Sequence, residues 1–148
     1  MKVVLDIEQN LRDEFQRIIE ADDFDIDSGY SLDKISLVEF PDQVEFYHFD
    51  ALEHKIPIYM TSHNAASSDW YLIHINIGID MHLKQMENSS TGLQRFVPSG
   101  ILVYCPGITI KTDFSPGHRS ELASIRVPKS FIRNYYEGSF VQDWQLLV

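Results

Sequence analysis

The chain has 148 residues, with 22 acidic against 12 basic side chains, a formal net charge of −10 and a hydrophobic share of 44%. A domain of this length buries roughly 68–70% of its unfolded surface, so a genuine core is expected and disorder is not. The charge argues against nucleic-acid binding or an anionic membrane surface for this chain, because both need clustered Lys and Arg. The single Cys105 excludes an intrachain disulfide and a Cys-rich zinc site. No apolar run approaches the roughly 20 residues of a membrane-spanning helix. Asp6 interrupts the opening apolar run too early for a signal peptide, so a cytoplasmic protein is expected.

In chain order, residues 6–20 read as a helix. Asp6 stands at the cap, Gln9 three places later completes a capping box, and Ile7, Leu11, Phe15, Ile18 and Ile19 share a face. Glu20 to Asp27 is an acidic connector, so residues 1–33 form a helix and an acidic arm. From 34 to 127, short β-branched and aromatic runs alternate with turn residues. Strands are predicted at 34–40, 43–49, 55–61, 69–77, 80–86, 93–97, 100–104, 108–114 and 120–127. Pro41-Asp42, Pro98-Ser99-Gly100, Pro106-Gly107 and Ser115-Pro116-Gly117 supply the turns. Many short strands with no helical pattern between them predict a mainly β sandwich or barrel.

Helical spacing returns in 128–148. Pro128 suits a first helical position, Gly138 a stop, and Phe131, Ile132, Tyr135 and Tyr136 make an apolar face. A second amphipathic helix carries Phe140, Val141 and Trp144 and ends on Leu147 and Val148. An amphipathic helix that stops on apolar residues predicts an excised domain or a face that meets a partner.

Most motifs with a chemistry attached fail on spacing. Asp23-Phe24-Asp25-Ile26-Asp27-Ser28-Gly29 places its Gly one position late for a calcium loop, and Lys34 stands where that loop needs Glu. Asn88-Ser89-Ser90 matches a glycosylation triplet, which means only a polar turn without a secretory signal. Neither a nucleophile elbow nor a phosphate-binding glycine loop is present. The six histidines (His48, His54, His63, His74, His82 and His118) make no His-x-His or helical His-x-x-x-His pair.

One spacing stands out. Gly92-x5-Pro98-x-Gly100 ends a hairpin and feeds the strand Ile101-Leu102-Val103-Tyr104. It resembles the second motif of the cupin superfamily. Val103 stands at that motif's metal-binding His. Taking Gly78 as the end of the first motif puts Ala65 and Ser67 at its His-x-His and Tyr71 at its Glu. All four metal-ligand positions therefore hold non-ligands. Three longer stretches are similar to the N-terminal regulatory domain of AraC-type bacterial transcription regulators: Trp70 to Gly78, Pro98 to Tyr104, and Leu122 to Ile132.

The resemblance implies a cupin-like double-stranded β-barrel (jelly roll) that senses a small-molecule effector and dimerises. DNA would be bound only by a separate helix-turn-helix domain that this chain does not contain. It implies neither a cofactor nor a metal, and no catalysis.

By cupin phase, Tyr71, Ile73, Ile75, Ile77, Ile101 and Val103 point into the barrel, while His74 and Asn76 point out. Side chains either fill that interior or leave room for a mostly apolar ligand. Tyr59, His63, Ser67, Tyr71, Ile73 and Val103 are then the ligand-binding candidates. Phe131, Tyr135, Tyr136, Phe140 and Trp144 offer a homodimer interface. The rivals are a metal-dependent cupin enzyme using His63, His74, His82 or His118, and an interaction module with a filled barrel.

Overall fold

The structure, a computed structural model, describes the backbone of residues 1–87 and 93–135 and their side chains other than those of Ala51, Leu52, Leu93, Gln94 and Tyr135. Strands β1 to β10 run Lys2–Asp6, Ile35–Glu39, Glu45–Glu53, Ile58–His63, Trp70–Asn76, His82–Met86, Leu93–Phe96, Ile101–Tyr104, Thr109–Phe114 and Arg119–Pro128. Helix α1 spans Leu11–Ile19 and α2 spans Lys129–Tyr135. One sheet has the order β1-β4-β9-β6-β7 and the other β2-β3-β10-β5-β8. Each sheet interleaves early and late strands, as a jelly roll does when a long hairpin rolls up on itself. The predicted double-stranded β-barrel is present. It buries one face of each sheet against the other.

All nine predicted strands form, and a tenth precedes them. Lys2–Asp6 alternates exposed and buried positions, with Val3 and Leu5 in the core and Val4 out. β1 pairs in parallel with β4, Lys2 opposite Tyr59 and Asp6 opposite His63. Helix α1 consequently starts later than the sequence suggested. Its N-cap is Asn10, whose side chain accepts from Arg12 N at 3.0 Å and Asp13 N at 3.2 Å. Asp6 instead accepts from Glu8 N at 2.9 Å in the turn before it.

Residues 2–19 and Tyr30 are thus part of the wall, while Asp22, Asp23, Asp25 and Asp27 of the acidic stretch are exposed. Leu5, Ile7, Leu11, Phe15, Ile18 and Tyr30 share one apolar cluster with Tyr47, Phe49, Ile58, Leu72 and Phe114 of the barrel. Arg126 locks that segment to β10. Its guanidinium is buried, donates to Ile7 O at 2.9 Å and to Glu8 O, pairs with Glu45 at 3.0 Å, and lies 3.5 Å from the Trp70 ring centroid.

Two asparagines on the core side hold turns. Asn76 Nδ2 donates to Asp80 O at 2.8 Å and Phe96 O at 3.1 Å, and Asn64 Nδ2 donates to Trp70 O at 2.9 Å and Tyr104 O at 3.1 Å. Such pairing is what makes burial of an amide tolerable. At the other end of the chain, Pro128 is the last residue of β10, opposite Trp70, and α2 begins one residue later than predicted. Gly138 lies outside the described residues.

Candidate functional site in the barrel interior

The sheets leave a cavity between them, with about 40 Å³ open to the centre of a water molecule. One water needs roughly 10–15 Å³ on that measure, so the space holds about three waters or a ligand of a few heavy atoms. Most of the wall is apolar: Leu5, Leu11, Phe15, Phe49, Met60, Leu72, Phe114 and Leu122. The polar part of the lining is Ser62, His74, Lys84, Tyr104, Ser120, Ser124 and His54, with Tyr30 beside them.

Lys84 is the unusual member. Strand β6 alternates with His82 and Lys84 buried and Leu83 and Gln85 exposed, so the lysine points inward. Its Nζ donates to Thr112 Oγ1 at 3.0 Å and to the Tyr104 hydroxyl at 3.5 Å, and lies 5.1 Å from the Phe96 ring centroid. Among the described residues it pairs with no carboxylate. Burial alone lowers its pKa to about 7. Tyr104 carries a hydrogen bond with Ser62, and burial drives its own pKa upward, so it stays a neutral phenol.

Histidines form a second group at this core. His74 Nδ1 meets Ser124 Oγ at 2.7 Å, and His54 Nε2 meets Ser120 Oγ at 2.7 Å. The Phe114 ring stacks on His54 at 4.2 Å and meets His82 edge-on at 5.1 Å, with His118 6.2 Å from His82. Burial, then the neighbouring His82 and His118, lowers His54 to about 4; burial, then Lys84 and His118, lowers His82 to about 4. Nδ1 of His54 and of His118 and both ring nitrogens of His82 have no hydrogen-bond partner among the described protein atoms.

Clustered imidazoles raise the question of a metal. Among the described residues no three His, Cys, Asp or Glu side chains are arranged to hold one. The four positions that the sequence spacing assigned to cupin metal ligands hold no donor set either: Ala65, Ser67, Tyr71 and Val103 all lie outside the cavity lining, so the spacing does not place them as the motif expects. No step through a metal follows from this site.

The predicted ligand residues stand elsewhere, because the inward phase of β5 and β8 is the reverse of the one expected. Leu72 and His74 of β5 and Tyr104 of β8 line the cavity, so Tyr71, Ile73 and Val103 face the outer side of the sheet. Ile73 sits opposite Val103 there, the first half-buried and the second buried. Ile77 and Ile101, also expected inside, are 46% and 65% exposed. Asn76, expected outside, is fully buried. Tyr59 and His63 alternate outward from Met60 and Ser62, and His63 meets Thr109 at 2.7 Å on the surface. Ser67 is exposed in the turn before β5. The structure brings none of the six into the cavity.

Of the residues expected at a dimer interface, Phe131 is half-buried on α2, next to the buried Ile132. The Tyr135 side chain and Tyr136, Phe140 and Trp144 lie outside the described residues.

No family model and no curated protein matches the chain. Solved structures are similar to it in fold. A cupin family protein with a double-stranded β-helix fold from Methanocaldococcus jannaschii is 14% identical, with 76% of this chain and 93% of that one covered at a TM-score of 0.46. A cupin protein from Bacteroides fragilis is 12% identical over 78% and 92% of the two chains, with a TM-score of 0.47. The plu4264 protein from Photorhabdus luminescens is 11% identical over 85% and 98%, with a TM-score of 0.48. At these identities the likeness concerns the fold alone.

Proposed function

We propose that this chain is a small-molecule-binding cupin domain without catalytic activity, the sensor part of an AraC-type transcription regulator. The observation that carries the binding half is the cavity between the sheets, apolar over most of its wall with a few convergent polar groups, which is the usual make-up of a ligand site. The regulator half rests on the sequence resemblance of Trp70 to Gly78, Pro98 to Tyr104 and Leu122 to Ile132. In this reading the ligand favours one arrangement of barrel and N-terminal wall over another, since Leu5, Leu11 and Phe15 border the same space. The domain acts as a homodimer in the cytoplasm, and DNA is contacted by a helix-turn-helix domain outside this chain.

The test is a thermal-shift panel of small metabolites on the purified protein, with its oligomeric state measured by light scattering. A ligand at about 100 times its Kd adds ~2.7 kcal/mol, or roughly 5–10 °C in Tm for a domain of this size. A panel that leaves Tm unmoved counts against sensing, and a monomer at all concentrations counts against the dimer. A stoichiometric transition metal retained through purification would overturn the reading in favour of a metal-dependent enzyme.

A further inference from the structure

The ammonium of Lys84 has three donors and two neutral acceptors, one of them at a long 3.5 Å. It sits in a wall of apolar and neutral polar groups; among the described residues the titratable groups near it are His74, His82 and Tyr104, none of them an anion. A buried cation without a counter-charge is costly, and the cost is relieved by loss of its proton or by an anion within hydrogen-bond reach, which holds the proton on. The cavity borders this charge and has room for a few heavy atoms. Most of the remaining wall is apolar (Leu5, Leu11, Phe15, Phe49, Leu72 and Leu122), which suits an alkyl group, and its other polar members, Ser62, Ser120, Ser124 and the histidines, carry no positive charge for a second carboxylate.

We infer that the barrel interior binds a short-chain monocarboxylate of about two or three carbons, its carboxylate on Lys84 Nζ beside the Thr112 and Tyr104 hydroxyls and its alkyl end against the apolar wall. This rests on the ligand-binding reading and names the chemical class of ligand. Sugars and nucleotides are too large for this space, and a dicarboxylate would find one cation for two charges. A bare halide would satisfy the charge but leave the apolar space unfilled.

The probes are sodium acetate and sodium propionate, with propionamide as the neutral isostere and sodium chloride at matched concentration. Binding is read by Tm and by backbone amide shifts of Lys84, Tyr104 and Thr112. The expected result is that propionate binds at least tenfold more tightly than propionamide, and that Lys84→Met and Lys84→Gln both remain folded and lose this preference. Three results would overturn the inference: equal binding of propionate and propionamide, a propionate response that survives both substitutions, or a response that chloride reproduces. Propionamide binding as tight as propionate at the same amides would leave the ligand-binding reading standing while the anion falls. No response to either compound, together with a silent metabolite panel, would take down both.

Discussion

Replacing Lys84 with methionine is expected to stabilise the ligand-free protein, by an amount that changes with pH. Methionine matches the length of the lysine stem and suits an apolar wall, so little cavity is created. The gain comes from removing a buried charge. The folded pKa falls from 10.5 to about 7 through burial, and each unit is worth about 1.4 kcal/mol. In the unfolded chain the lysine stays protonated up to its ordinary pKa.

The folded state therefore carries the whole penalty, about 5 kcal/mol, at and below neutral pH, and sheds it as pH rises from 7 towards 10.5. Against this, Thr112 Oγ1 and the Tyr104 hydroxyl each lose a donor, at about 1 kcal/mol apiece. The net gain is about 3 kcal/mol at pH 6 and close to zero at pH 9, where about 2 kcal/mol of penalty is left. Urea unfolding of both proteins at pH 6, 8 and 9 measures it. A gain of the same size at pH 6 and 9 would show that the Lys84 charge is not buried as the geometry indicates. A loss at pH 6 would mean that the charge is already paired.

Acid should unfold the barrel through its core histidines. His54 and His82 titrate near 4 when folded against an ordinary 6.5, so the folded state refuses protons that the unfolded chain accepts. Stability is complete above pH 6.5 and is lost as pH falls towards 4, by up to about 3 kcal/mol for each group if independent. His82→Leu should flatten that part of the curve, and an unchanged slope would refute the assignment. Gly29→Ala should cost about 3 kcal/mol or more, because φ is +92° and a Cβ would stand 2.1 Å from the Glu53 carbonyl oxygen. Gly117→Ala has a similar φ of +86° but open space, and should cost only about 1 kcal/mol in the same denaturation assay.

The turn chemistry made the strand positions readable, since each Pro or Gly break in 34–127 falls between two real strands. β1 was obscured by competition. Val3 and Leu5 alternate as a strand should, but Asp6 with Gln9 imitates a capping box, and the cap belongs to Asn10. The phase of β5 was not readable from periodicity, because Ile73 and Ile75 are apolar on the outer face while Leu72, His74 and Asn76 face the core. A strand covered on both sides has no polar face to announce its orientation. Importing the cupin phase then filled the interior with the isoleucines. What the rule of apolar-inside hides here is a polar corner: Ser62, Lys84, Thr112 and Ser124 are all buried. The clue lay in β6, where Lys84 could have been read on the same face as His82, and Leu83 at 40% exposure on the other.

The parallel pairing of β1 with β4 bears on how the barrel assembles. The other strand pairs described are antiparallel, including close hairpin partners such as β6 and β7. β1 must wait for a partner on the far side of α1, β2 and β3, and long loops close slowly. During synthesis this strand emerges before the edge that it will join. Leu5, Leu11 and Phe15 would then complete the cavity only after the sheets behind them exist, so the interior would be sealed late by the portion of chain made early.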